Sequence, residues 1–300
     1  MKQASSGTAG RISVALDTPS RKWSFASMQR LYFFCYHKVA TALCANIAGK
    51  IAALFGWQAD YLPGLINGVD ASKQIITFAH SLIEFDLSTI PHKGVRLIRD
   101  PRDVWLSGYL YHQHCRERWC TNETLDPTPP ILFPRVPYSQ QHRSEEWKRD
   151  YLVGLNGLSY QRNLLSRDRD SGLEFEMNRY ADWTIQAMLA WKHDPSTIDV
   201  KIEDLMADFD GTLTLIFRHF GIPEVDIPLA LAAAASEDIG RMSDAQIAAN
   251  PNIYSRSISK WRSMLTPTQI ERFQSRYGEA IERLGYALLS VARSPPGGSS

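Results

Sequence analysis

The clearest pattern is a short continuous apolar run, Leu31 to Tyr36 (LYFFCY), followed by a polar turn at His37-Lys38 and then apolar residues at Val39, Leu43, Ile47 and Ile51. A bounded apolar run suits a strand buried on both faces, and the four-residue spacing lines one face of a helix. The reading is strand, tight turn, helix. Further strands are predicted at Gln74 to His80 and Val95 to Arg99, a helical pattern at Asp103 to His114, and a strand at Ile198 to Ile202. Tyr180, Trp183, Ala187, Met188 and Trp191 share a helix face, as do Phe209, Leu213, Ile216, Phe217 and Phe220, where Gly221 and Pro223 stop the helix. Thr266 with Gln269 reads as a capping box, Pro267 as a first helical residue and Gly285 as an exit. Alternating strands and helices predict an α/β fold with a central parallel sheet flanked by helices.

Between Thr121 and Gln141 five prolines (Pro127, Pro129, Pro130, Pro134, Pro137) forbid a long regular element. This stretch is read as an insertion that acts as a lid, with Ile131, Leu132, Phe133 and Tyr138 available to bury. Residues 1–25 and 293–300 read as disordered tails around one domain spanning 26–292.

Composition narrows the function. The 300 residues carry a net charge of +1, so a broad basic face for nucleic acid is not expected, and an anionic ligand must be met by a local cluster. No apolar run approaches the length of a membrane span. Four cysteines are too few for a disulfide scaffold, and a cytoplasmic location is expected. His112, His114, Cys115 and Cys120 lack zinc spacing, so no metal is expected. A Cys115–Cys120 bridge stays open there, as does a basic pocket rim with Arg116 and Arg118.

Two turns carry the candidate chemistry. Ligands of an open parallel sheet bind beyond the carboxyl ends of its strands, where a helix start aims free N–H groups at an anion. In HKVATAL, Lys38 adds a cation, Thr41 a hydroxyl, and small Ala40 and Ala42 allow close approach. No glycine precedes Lys38, and Val39 stands where a magnesium-binding hydroxyl would follow a Walker lysine, so phosphate binding without magnesium is expected. In RDPRDVWLSGYLYH, Arg99 ends a strand at the same edge and Ser107 lies two helical turns on. Together they suit a second phosphate, with Asp100 and Asp103 capping the helix or bracing arginines.

These two segments resemble the cofactor signatures of sulfotransferases that use 3′-phosphoadenosine 5′-phosphosulfate (PAPS): the 5′-phosphosulfate loop, often PKSGTTW, and the 3′-phosphate motif, an arginine followed eight residues later by a serine. VKIEDL at 200–205, HFGIP at 219–223 and SISKWRSMLTPTQ at 257–269 extend the resemblance over about 31–286. It implies a P-loop-like three-layer fold, PAPS as sulfuryl donor with PAP as product, and a small-molecule or carbohydrate acceptor sulfated on a hydroxyl or amine. Residue by residue, it gives Lys38, Val39, Ala40, Thr41 and Ala42 to the 5′-phosphosulfate, and Arg99 and Ser107 to the 3′-phosphate. It makes His80 the general base, with Glu84 as substitute. The pattern departs at Phe78-Ala79-His80, where the family has a lysine, at Leu43 for tryptophan, and at 254–259, where Arg256 replaces a glycine-rich phosphate loop. Two other functions stay open: a nucleotide-dependent phosphotransferase of the wider P-loop class, and a non-catalytic binder of PAP or PAPS.

Overall fold

The computed structural model describes residues 29–290; the two expected tails, 1–25 and 293–300, lie outside the described residues. Strand β1 (Arg30–Phe34) is the middle of a five-stranded sheet completed by β2 (Ala59–Leu62), β4 (Ile75–Phe78), β6 (His92–Ile98) and β7 (Thr197–Lys201). The order is β2-β4-β1-β6-β7, and all the pairings are parallel. Between them, β3 (Leu65–Ile66) and β5 (Leu82–Ile83) make a small parallel pair. The fold is α/β, a central parallel sheet flanked by helices.

The all-apolar sequence of β1 follows from its place. Leu31 and Phe33 face the main core with Ile75, Val95 and Leu97 and the helices packed there, while Tyr32 and Phe34 face a second cluster with Ile76, Phe78 and Ile66. Helix α1 (Thr41–Phe55) buries Cys44, Ile47, Ala48, Ile51 and Ala52 and ends at Gly56, whose φ of 69° is in the left-handed region and whose N–H reaches the Ala52 carbonyl. Helix α2 (Pro101–His112) begins two residues before the expected Asp103, because Asp100 accepts from the Arg102 amide and Pro101 fits the first turn. At the other end of the chain the Thr266–Gln269 capping box starts the helix Pro267–Arg283, and Gly285 turns out of it at φ 77°.

The edge strand β2 was not expected. Its four residues, ADYL, alternate between exposed and partly buried and give no apolar run. No helix among the described residues is long and apolar enough to cross a membrane.

The strand order fixes where a ligand belongs. From β1 the chain first builds outward through β2 and β4, then crosses to β6 on the other side. The crevice beyond the carboxyl end of β1 is therefore the topological switch point, and Lys38, His80 and Arg99 follow the three strands that meet there.

Candidate active site

The turn after β1 is tightly wound. Lys38 and Ala40 both lie in the left-handed region, at φ 59° and 54°, and the Val39 amide is committed to the Tyr36 carbonyl at 2.9 Å. Val39 thus shapes the turn and offers no N–H to a ligand. Ala40 brings no side chain onto the first-turn amides of α1, and no acid sits among them, so that helix start is left for an external anion. Thr41 Oγ1 donates to the Tyr36 carbonyl at 2.9 Å and keeps its lone pairs.

Arg99 joins the two signature segments directly: its Nη1 donates to the Lys38 carbonyl at 2.8 Å. Ser107, 5% exposed, accepts from Lys260 Nζ at 3.3 Å. Asp103 Oδ2 lies 3.9 Å from Arg99 Nη2, and its Oδ1 accepts from the Trp261 amide at 3.1 Å. Asp103 thus lies beside Arg99 and Lys260, while the acid that favours the charged form of Lys38 is Glu117. Burial, then Arg99 and Lys260, bring Lys38 down to about 7, with its ammonium 3.8 Å from the Tyr111 ring centroid. Burial, then Arg99, bring Lys260 down to about 8, with Asp103 opposing. Buried cations held so far below their usual range are short of negative charge.

Lys260 is the residue that sequence reasoning missed. Arg256, expected in that role, instead pairs with Asp244 at 2.6 Å and donates to the Met242 carbonyl on the exposed surface. The available signal was the lysine directly before Trp261 in SISKWRSM. Trp261 is fully buried beneath the Arg102 guanidinium, 3.8 Å from its ring centroid, which fixes Lys260 over α2. Arg102 is itself 1% exposed, forks onto Asp100 at 2.9 and 2.8 Å, and reaches Gln274 and the Ala287 carbonyl. Asp100 and Asp103 have the capping and bracing roles expected of them.

Beside this cluster a pocket is lined by Tyr36, His37, His80, Leu82, Tyr180 and Trp183, with Ser139 and Gln140 as part of its wall. Those last two residues belong to the Pro-rich stretch, which is anchored by the fully buried Ile131 and Val136. Here His80 Nδ1 accepts from the Gly64 amide at 3.0 Å. The neutral ring therefore carries its proton on Nε2 and presents a donor. Burial pushes His80 down to about 4. Glu84 is exposed beyond β5 and does not line the pocket.

His112 and His114, which lack zinc spacing in the sequence, are apart in the structure: His114 is exposed, whereas His112 is 0% exposed. Its Nδ1 lies 2.9 Å from Glu176 Oε2, and its Nε2 is 3.0 Å from His37 Nε2. Cys115 and Cys120 are buried free thiols, so the bridge left open there is not formed.

No family model matches the chain, and no curated protein matches it by sequence. Among solved structures it is similar to the mouse sulfotransferase SULT7A1 complexed with PAP, at 12% identity over 85% of this chain and 86% of that one, with a TM-score of 0.47. It is also similar to retinol dehydratase complexed with androsterone and PAP, at 15% identity over 88% and 84% with a TM-score of 0.42. Retinol dehydratase complexed with retinol and PAP gives 14%, 88% and 84%, and 0.44.

Proposed function

We propose that the protein is a sulfotransferase that moves the sulfuryl group of PAPS to a hydroxyl or amine of a small acceptor by in-line displacement. The observation that carries this reading is the gathering of three buried cations at the switch point, Lys260 on Ser107, Arg99 on the Lys38 carbonyl and Lys38 itself, with Lys38 and Lys260 held well below the usual lysine range. A nucleotide bearing phosphate at both its 3′ and 5′ positions supplies the missing negative charge. Arg99, Ser107 and Lys260 hold the 3′-phosphate. Lys38 and the uncapped start of α1 hold the 5′ end and stabilise charge developing on the leaving phosphate. The pocket beside them, walled by Tyr36, Leu82 and Trp183, suits a compact acceptor with apolar faces.

Calorimetry with PAP and AMP tests the reading, together with PAP release from PAPS in the presence and absence of EDTA. Strong preference for PAP and EDTA-resistant release are expected. Equal affinity for the two nucleotides removes the claim, and EDTA-sensitive phosphoryl transfer from ATP replaces it with the phosphotransferase.

A further inference from the structure

We propose that the acceptor's proton is taken by His37, with His112 and Glu176 behind it as a buried relay, while His80 serves as a hydrogen-bond donor in the same pocket. The inference rests on the sulfotransferase reading and assigns its base.

The assignment follows from counting protons along one chain of contacts. Glu176 is 0% exposed, and its Oε2 accepts from the Tyr160 hydroxyl at 2.8 Å. A carboxylate offers only lone pairs, so at the 2.9 Å contact the proton belongs to His112 Nδ1. With His112 in its neutral form its Nε2 is bare, and at 3.0 Å that nitrogen accepts the Nε2 proton of His37. The two rings lie in nearly parallel planes, 5° apart, with centroids 4.9 Å apart. His37 is left with an unprotonated Nδ1, and among the described residues no hydrogen-bond partner lies on it. A bare ring nitrogen in a pocket is what proton abstraction needs. His80 has the opposite polarity: its lone pair is spent on the Gly64 amide and it presents a proton.

The surroundings hold the relay in this order. Directly after Glu176 the helix takes one π-helical turn, Met177–Ala181, and Tyr180 within it packs 4.2 Å from the His37 ring and 5.0 Å from His112. Such turns recur at functional sites. Glu176 Oε1 is buried without a partner, against Gly108 of α2, where an added Cβ would come within 2.3 Å of it. Gly108 thus keeps open the space the carboxylate occupies. The charged and titratable groups facing His37 are Lys38 on its own turn, His112 and Tyr111 from α2, Tyr180 from the helix after Glu176, and His80 beyond β4. Burial, then His112, Lys38 and His80, push His37 well below the usual histidine range, so it is neutral at pH 7.

In the step itself the acceptor's O–H or N–H proton goes to His37 Nδ1 as the acceptor atom bonds to sulfur. The bridging S–O bond breaks, and its electron pair leaves with the 5′-phosphate. The Nε2 proton of His37 moves to His112 Nε2, and the resulting imidazolium is held by Glu176. His37 touches the acceptor and is catalytic; His112 and Glu176 position and polarise it.

Two measurements test this on the full chain. Nitrogen-15 histidine spectra, assigned with single His→Gln variants, should show His112 as the Nδ1–H tautomer and both His37 and His80 as Nε2–H. A His37 ring protonated on Nδ1 overturns the inference. PAP release from PAPS is then followed with 2-naphthol, 1-hexanol and glucosamine as probe acceptors. His37→Gln should lose about 100-fold or more in rate with PAP affinity unchanged. Glu176→Gln should lose at least about ten-fold, and the acid limb of its rate profile should move to lower pH, because removing the carboxylate destabilises the imidazolium. Native-like rates in His37→Gln sink the base assignment while the sulfotransferase reading survives. If the native protein releases no PAP with any probe and binds PAP no better than AMP, both fail together.

Discussion

Two polar regions adjoin at the end of β1, one starting from Lys38 and the other from His37, and they manage burial in opposite ways. The first buries three cations close enough that Arg99 and its neighbours lower both lysines, despite Asp103 beside Lys260 and Glu117 beside Lys38. The second strings Tyr160, Glu176, His112 and His37 into a chain in which each link donates to the next or accepts from it. Unpaired buried charge costs several kcal/mol per ion, so a fold keeps it only where something else completes the pairing. The second holds a single buried carboxylate, whose Oε2 accepts from Tyr160 and His112, and its linked hydrogen bonds favour one proton arrangement. On the proposed function, the contrast separates a surface that meets a charged ligand from one that directs a proton.

The sharpest way to break the contrast is Arg99→Ala. A charge-assisted bond to phosphate is worth roughly 1.5–3 kcal/mol, so PAP affinity should fall about 10- to 150-fold, measured by calorimetry, while AMP affinity changes little. The histidine tautomers should stay as they are. A variant that still prefers PAP by the native margin would mean that the 3′-phosphate lies elsewhere.

The pH dependence of PAP binding sharpens it further. Burial and the neighbouring cations bring Lys38 down to about 7 and Lys260 down to about 8, and bound phosphate favours the charged form of each. Binding should therefore take up protons, and affinity should fall as pH rises through 7 to 9, a range set by these two groups. Calorimetry near pH 8 in two buffers of unlike ionisation enthalpy reads the uptake, and Lys260→Met should reduce it. Proton release on binding would contradict the assignment.

The smallest effect tests the turn that divides the two regions. Ala40 sits at φ 54°, where a Cβ costs about 1–2 kcal/mol, and it occupies the place of the glycine in the sulfotransferase loop PKSGTTW. Ala40→Gly should raise the thermal midpoint by a few degrees, on the order of 2–4 °C, less whatever the freer unfolded chain takes back, without changing PAP preference. A lowered midpoint would show that the Ala40 methyl packs favourably enough to outweigh its strain.

What the sequence shows and hides follows the same division. The buried strand LYFFCY, the Asp100–Pro101 helix start and the Thr266 capping box act through neighbours a few residues away, so local pattern suffices. Lys38, Arg99 and Ser107 were also readable, because each follows a strand at a fixed offset. Lys260 was not, since its place depends on Trp261 docking onto α2. The relay was hidden for a related reason: its members come from a turn, a helix end and a distant helix. One trace was present. Glu176 falls on the stripe Leu173, Glu176, Met177, Tyr180, Thr184, whose other members are buried, and a lone acid on an apolar stripe calls for a partner.

The contact between Lys260 and Ser107 spans 153 residues. During synthesis, Lys38, Arg99 and Ser107 emerge while the segment that brings the third cation is still unmade, and domains fold as units as the chain lengthens. A fragment ending before Lys260 lacks both the third cation and the Trp261 amide that Asp103 accepts from. On the proposed function, nucleotide capture is thus among the last properties the growing chain acquires.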